Sequence, residues 1–209
     1  MKHTIGQARG VWSSNRGLHG FHILNRRYAE RKHDFDKGSV NAGLFIVKDT
    51  YDMDKIKSCA VAFQALLNIR YRCIVGRKGK TIEFTLAFNA HHFHHLAGLH
   101  KLSDKQEVRG NRERVYKKIL SDDITYSSLS DSIDFPQVKT RLDYLSSLEL
   151  FMDSNSVVFR YDSRRNALSD ISASFLLENE VHGSIIYLFI DKDEYSNTFC
   201  GKSFSQEIG

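Results

Sequence analysis

Hydrophobic positions along this chain follow two different periods, and the change from one to the other divides it. From Met1 to about Val47 neither period is sustained, and Gly, Arg, His and Asn recur instead. That stretch is expected to be an irregular basic extension. Beyond it, Ile56, Cys59, Ala60, Phe63, Leu66 and Leu67 return at helical spacing up to Asn68, with Asp49 and Thr50 available as caps. An amphipathic helix covering a sheet is predicted there. Tyr71 to Val75 and Thr81 to Phe88 are β-rich and flank GRKGK, whose Gly76 and Gly79 suit a tight hairpin connection.

Helical spacing then returns. A short helix is predicted from Ala90 to about Ala97 and a second from Val108 to Leu120, with Val115, Ile119 and Leu120 inward. Pro136 suits the first turn of a third helix, whose Val138, Leu142, Leu145, Leu148 and Leu150 form an apolar face ending near Asp153. Strand patterns follow at Val157 to Tyr161, Ile171 to Leu177 and Ser184 to Ile190, and Ser203 with Phe204 adds a short edge strand. Helices early and strands late predict an α+β fold, an antiparallel sheet with helices packed on one side, spanning residues 48–209 after an extension over 1–47.

Composition narrows the function classes. A chain of 209 residues with 41% hydrophobic content can bury a core, and 13 Gly with a single Pro are too few for low complexity. The longest uncharged apolar run, Ile185 to Ile190, is far short of the roughly 20 residues a bilayer requires. The first 30 residues lack the apolar stretch and cleavage site of a secretory signal, so the cytoplasm is the expected compartment. Cys59, Cys73 and Cys200 form no CxxC pair, and core packing suits them better than bridging. A net charge of +5 favours polyanionic partners, with salt-sensitive binding if the partner is nucleic acid.

Candidate chemistry concentrates in FNAHHFHHLAGLHKLSD, Phe88 to Asp104. His91, His92, His94, His95 and His100 are half of the chain's 10 histidines. On a helix, Phe93, Leu96 and Ala97 would share one face and His91 and His95 the opposite one. Two His at i and i+4 can reach one zinc ion, but the Glu of HExxH and a third ligand are missing. Solvated surface histidines account for His91, His92 and His94. His95 as an acid or base, followed by Lys101 after Gly98 bends the chain, offers the parts for phosphodiester chemistry.

FHHLAGLHKL at Phe93 to Leu102 resembles the signature of a phage-associated family of nuclease-like domains, the fourth such branch of the barnase/EndoU/colicin/RelE superfamily. The order of features is similar too: RLDYLSSL at Arg141 to Leu148, YLFI at Tyr187 to Ile190 and KSF at Lys202 to Phe204, covering Lys48 to Phe204. The resemblance implies an endoribonuclease without metal or other cofactor, in which a base activates the RNA 2′-hydroxyl and a 2′,3′-cyclic phosphate is left. Such domains often act as toxins, and RNA and an acidic antitoxin are then the expected partners.

On the motif, His95 would be the catalytic acid or base, Lys101 would contact the scissile phosphate, and Ser203 would orient or bind it. Arg160 could clamp a phosphate or simply face solvent. Tyr187 could stack on a base or pack in the core. Arg141 could touch substrate or form a salt bridge, and His100 could bind substrate or be a packed histidine. The surplus histidines at 91, 92 and 94 and the extension before Lys48 depart from the family pattern. An RNA-binding or phage-associated module that has lost turnover is the competing function, and a His-coordinated metal hydrolase is the third.

Overall fold

The structure is a computed structural model, and it describes residues 21–22, 26–29, 53–77, 80–153, 157–161, 172–181 and 183–206. Strands β1 (Phe21–His22) and β2 (Arg26–Ala29) fall in the stretch expected to be irregular. They are followed by α1 (Lys55–Gln64), β3 (Ile69–Arg77), β4 (Lys80–Ala87), α2 (Ala90–Leu96) and α3 (Arg112–Leu120). Then come α4 (Tyr126–Leu129), α5 (Phe135–Leu145) and α6 (Leu148–Asp153). Strands β5 (Val157–Arg160), β6 (Phe175–Val181), β7 (Ser184–Lys192) and β8 (Phe199–Gln206) complete the described chain.

Helix boundaries follow local chemistry. Asp54 caps α1 by accepting from the backbone N–H of Ile56 and Lys57 at 3.0 and 3.3 Å, whereas Asp49 and Thr50 lie outside the described residues. The helix predicted from Val108 begins only at Arg112, because Gly110 takes a φ of +86° and Asn111 caps from the Arg114 N–H at 2.9 Å. The single helix predicted to run to Asp153 is two, α5 and α6. At the break, Ser147 N–H bonds the Tyr144 carbonyl, an i to i−3 bond, and Leu150 is 59% exposed.

The strands form one sheet in the order β1-β5-β6-β7-β8-β4-β3-β2. Two antiparallel blocks, the hairpin β3–β4 with β2 and the run β5–β8 with β1, meet where β4 pairs with β8 in parallel at Leu86↔Phe199. The sheet is therefore mixed rather than antiparallel throughout. Ser203 and Phe204, predicted at an edge, sit in β8 at the middle of it. The strand predicted over Ile171 to Leu177 runs instead from Phe175 to Val181.

One large core lies between the helices and one face of the sheet. Phe63 of α1 is fully buried and meets Phe88, Phe93 and Tyr116 edge to face at 5.6–6.1 Å, which joins α1, α2, α3 and the end of β4. Truncating such a ring costs about 3–5 kcal/mol. Gly201 lets α2 approach β8, since a Cβ there would meet Leu188 Cδ1 at 3.0 Å and Leu96 Cδ2 at 3.3 Å. On the opposite face, Tyr161, Leu176, Tyr187 and Phe189 make a separate small cluster. Cys59, Cys73 and Cys200 are free and buried, and burial pushes their thiols up to about 12, 12 and 11, as packing residues require. Among the described residues no helix is long and apolar enough to cross a membrane.

Candidate active site

Helix α2 is too short to carry its histidines to one place, and the turn after it makes the site. Gly98 adopts φ +77°, which L side chains rarely reach, and hands the chain to a 3-10 turn over Leu99–Lys101. That reversal lays the His100 ring on the His95 ring, with centroids 4.2 Å apart and planes within 13°. Gly98 is required a second time by Arg141 of α5, whose Cδ would stand 2.7 Å from a Cβ at 98. Arg141 Nη1 reaches the His95 carbonyl at 3.5 Å.

Both rings are held neutral. Burial draws the His95 pKa down to about 4, and Arg141, Arg112, Lys202 and His94 push it the same way. His100 is exposed at its free edge, yet loss of solvent on the stacked face lowers it to about 3, assisted by His95, Arg141, His94 and Lys101. Lys101 donates to Gln137 Oε1 at 2.7 Å and is half-buried; burial and then Arg141 lower its pKa, while Asp134 opposes them. Arg141 is lowered by burial as well. Every charged group acting on the two rings is thus positive or, for a histidine, could become so.

The first turn of α2 is dressed differently. His92 Nδ1 accepts the Asn89 backbone N–H at 2.9 Å, so its proton sits on Nε2, which donates to Asp193 Oδ1 at 3.3 Å. Burial, followed by His91, draws the pKa of His92 down to about 4 against the opposing pull of Asp193. Burial works to raise Asp193, but hydrogen bonds from Ser196 and His92 outweigh it and hold the carboxyl below its usual range. His94 donates from Nε2 to the Val108 carbonyl at 2.7 Å and ties α2 to the following turn; burial lowers its pKa.

The i, i+4 pair His91 and His95 does not converge on one point, because His91 turns toward Asp193 at 3.8 Å and His95 toward His100. His91, His92 and Asp193 do bring ligand atoms within 4.8 Å of one another. Ligation through His92 Nε2 would require its proton to move to Nδ1, where the Asn89 N–H already points. The hydrogen-bonded arrangement is a helix cap more than a metal cradle.

The remaining expected residues separate. Cross-strand partners share a face, and Ser203 pairs with Phe189, which places it with Tyr187 on the small cluster beneath the sheet, away from His95. Both are buried, at 5% and 4% exposure. Arg160 is exposed at the end of β5, with β6 and β7 between it and β8. Beside Ser203, between Phe189↔Ser203 and Ile190↔Gly201, the register slips and leaves Lys202 without a cross-strand partner. Lys202 acts electrostatically on both His95 and His92. Sequence reasoning missed Lys202, Arg112 and Asp193; KSF was the one signal pointing near Lys202.

Stacked imidazoles among cations, set where α2 crosses an α+β sheet, belong to a nuclease of the barnase/EndoU/colicin/RelE type. The chain is a member of the family described as phage-Barnase-EndoU-ColicinE5/D-RelE like nuclease 4, matched over residues 55–208. No curated protein and no solved structure matches it.

Proposed function

We propose that this nuclease is an endoribonuclease that cleaves without a metal ion, with His95 as its base. The observation that carries this reading is the stacked His95–His100 pair, kept uncharged among Arg141, Lys101 and Lys202. A neutral imidazole accepts a proton at pH 7, and the surrounding cations stabilise charge gathering on a phosphoryl group. A divalent ion would be repelled by the same cations, and the one group of metal-ligating side chains found among the described residues, His91, His92 and Asp193, includes neither ring.

In the proposed reaction His95 takes the proton of the RNA 2′-hydroxyl, and the 2′-oxygen attacks the adjacent phosphorus. The bond to the 5′-oxygen breaks, a 2′,3′-cyclic phosphate forms, and the departing oxygen takes a proton from solvent. Arg141 and Lys101 hold the phosphate's non-bridging oxygens, with Lys202 completing the charge from the sheet side. His100 orients His95 by stacking and offers its exposed edge to the ribose. Such an activity suits a toxin acting on cytoplasmic RNA, and a protein that silences it would present acidic surface to this cluster.

The test compares the wild-type chain with His95→Ala on total cellular RNA in EDTA, with the product ends characterised. Cyclic phosphate ends from the wild type and intact RNA with the variant are expected. RNA bound but uncut by both chains would favour a binding module, and equal cleavage by both would remove His95 from the role.

A further inference from the structure

The most exposed aromatic ring among the described residues lies next to this site and has no part in the chemistry above. Tyr195 is 75% exposed, in the loop between β7 and β8. The loop is nevertheless braced. Asp193 N–H donates to the Thr198 carbonyl at 2.9 Å, Ser196 Oγ donates to Asp193 Oδ2 at 2.6 Å, and Tyr195 N–H leans on Asp193 Oδ1 at 3.4 Å. One edge of the ring rests on His91, with centroids 5.3 Å apart and planes at 83°, and the rest is left to solvent.

Position gives the ring a use. His91 is one helical turn before His95 on α2, so the tyrosine flanks the helix that carries the proposed base, on its N-terminal side. Lys202 acts electrostatically on His92, the residue after His91, and on His95, so positive charge extends along this side of the helix. At the tyrosine itself the neighbouring charges are Glu194, which is exposed, and Asp193, which is buried. Carboxylates there disfavour a phosphate against the ring and leave its surface better suited to an uncharged, planar group.

We infer that Tyr195 is a stacking platform for the nucleobase next to the scissile phosphate, and that the enzyme takes its RNA single-stranded. An exposed, rigidly mounted aromatic beside a cationic cleft suits an unpaired base, whose π face is hidden in a duplex. The inference rests on the ribonuclease reading, and binding is therefore measured apart from cleavage.

The probe is a fluorescently labelled single-stranded hexanucleotide, 2′-O-methylated so that it cannot be cut, with affinity read by anisotropy. Tyr195→Ala is expected to raise Kd about tenfold, and Tyr195→Phe to leave it within about twofold. Replacing each base in turn by an abasic residue should weaken the wild type at one position and leave Tyr195→Ala indifferent there. Equal binding by wild type and Tyr195→Ala, no binding by the wild type, or abasic effects identical in both chains would each overturn the platform. Failure of the ribonuclease reading shows separately, as cleavage of unmodified RNA that His95→Ala does not reduce.

Discussion

The two ends of α2 carry histidines in opposite electrical settings. At its start, His92 has both ring nitrogens spoken for and a buried carboxylate in front of it, Asp193. At its end, His95 has another imidazole on its face and three fixed cations around it, Arg141, Arg112 and Lys202. The first arrangement is complete as it stands. In the second the charged groups acting on the ring are all of one sign, and a positive potential of that kind raises the local concentration of anions. One residue type on one helix is thus mortar at one turn and, in the proposed reaction, the base at the next, and the difference is made by residues far away in sequence.

The strongest way to break this contrast is to truncate each histidine. His95→Ala should lower kcat/KM on RNA by about 10²–10⁴ with the fold intact. His92→Ala should leave turnover close to wild type while removing about 1–3 kcal/mol of stability, because Asp193 and the Asn89 N–H lose their partner. Denaturant melts beside steady-state assays separate the two, and a folded His92→Ala without activity would erase the distinction.

The cations come next. Arg141→Gln or Lys202→Met should slow single-turnover cleavage by about 10–10³, whereas Ser203→Ala, altering the far face of the sheet, should hardly change it. A pronounced loss in Ser203→Ala would mean that the bulge does not decide which residue faces the phosphate.

Acid should affect both ends of the helix, with different readouts. His92 and His95 titrate near 4 in the folded protein and at 6.5 when unconstrained, so the unfolded chain binds more protons between those values. Their contribution to stability is full above pH 6.5 and is lost as pH falls toward 4, on the order of 1–2 kcal/mol at pH 5 for His92. Equilibrium unfolding at pH 7 and 5 checks the sign. Activity needs the neutral base, so kcat/KM should rise with pH through about 4 and be level by pH 6, and a midpoint near 6.5 would place His95 in a more solvated setting than the structure gives it.

The smallest expected effect is Gly98→Ala. A left-handed φ costs a substituted residue about 1–2 kcal/mol, and the new methyl meets Arg141 Cδ. Stability should fall by that order and cleavage by a few-fold, since Arg141 must retreat from the ring pair.

That His95, His100 and Lys101 lie close together follows from a turn within one motif, and Arg141, from a second motif, joins them in space. What stayed hidden depended on pairing. Asp193 reaches His92 across 101 positions, and no local signal announces it. Ser203 comes from the KSF motif, which says nothing of strand register, and a one-residue slip in a strand exchanges faces. The position of β8 was misread for a similar reason: a short polar-flanked segment reads as an edge, and only the parallel bridge to β4 places it in the middle.

That central place of β8 bears on how such a protein is made. During synthesis the hairpin, the helices and β5–β7 emerge first, but the strand that joins the two blocks and brings Lys202 against α2 comes near residue 206. A chain whose residues 199–206 have not yet joined the sheet therefore has α2 without its sheet-side cation and an open gap between β7 and β4. The two halves of the sheet, and the arrangement of charge around α2, are therefore completed by a single late docking step, that of β8.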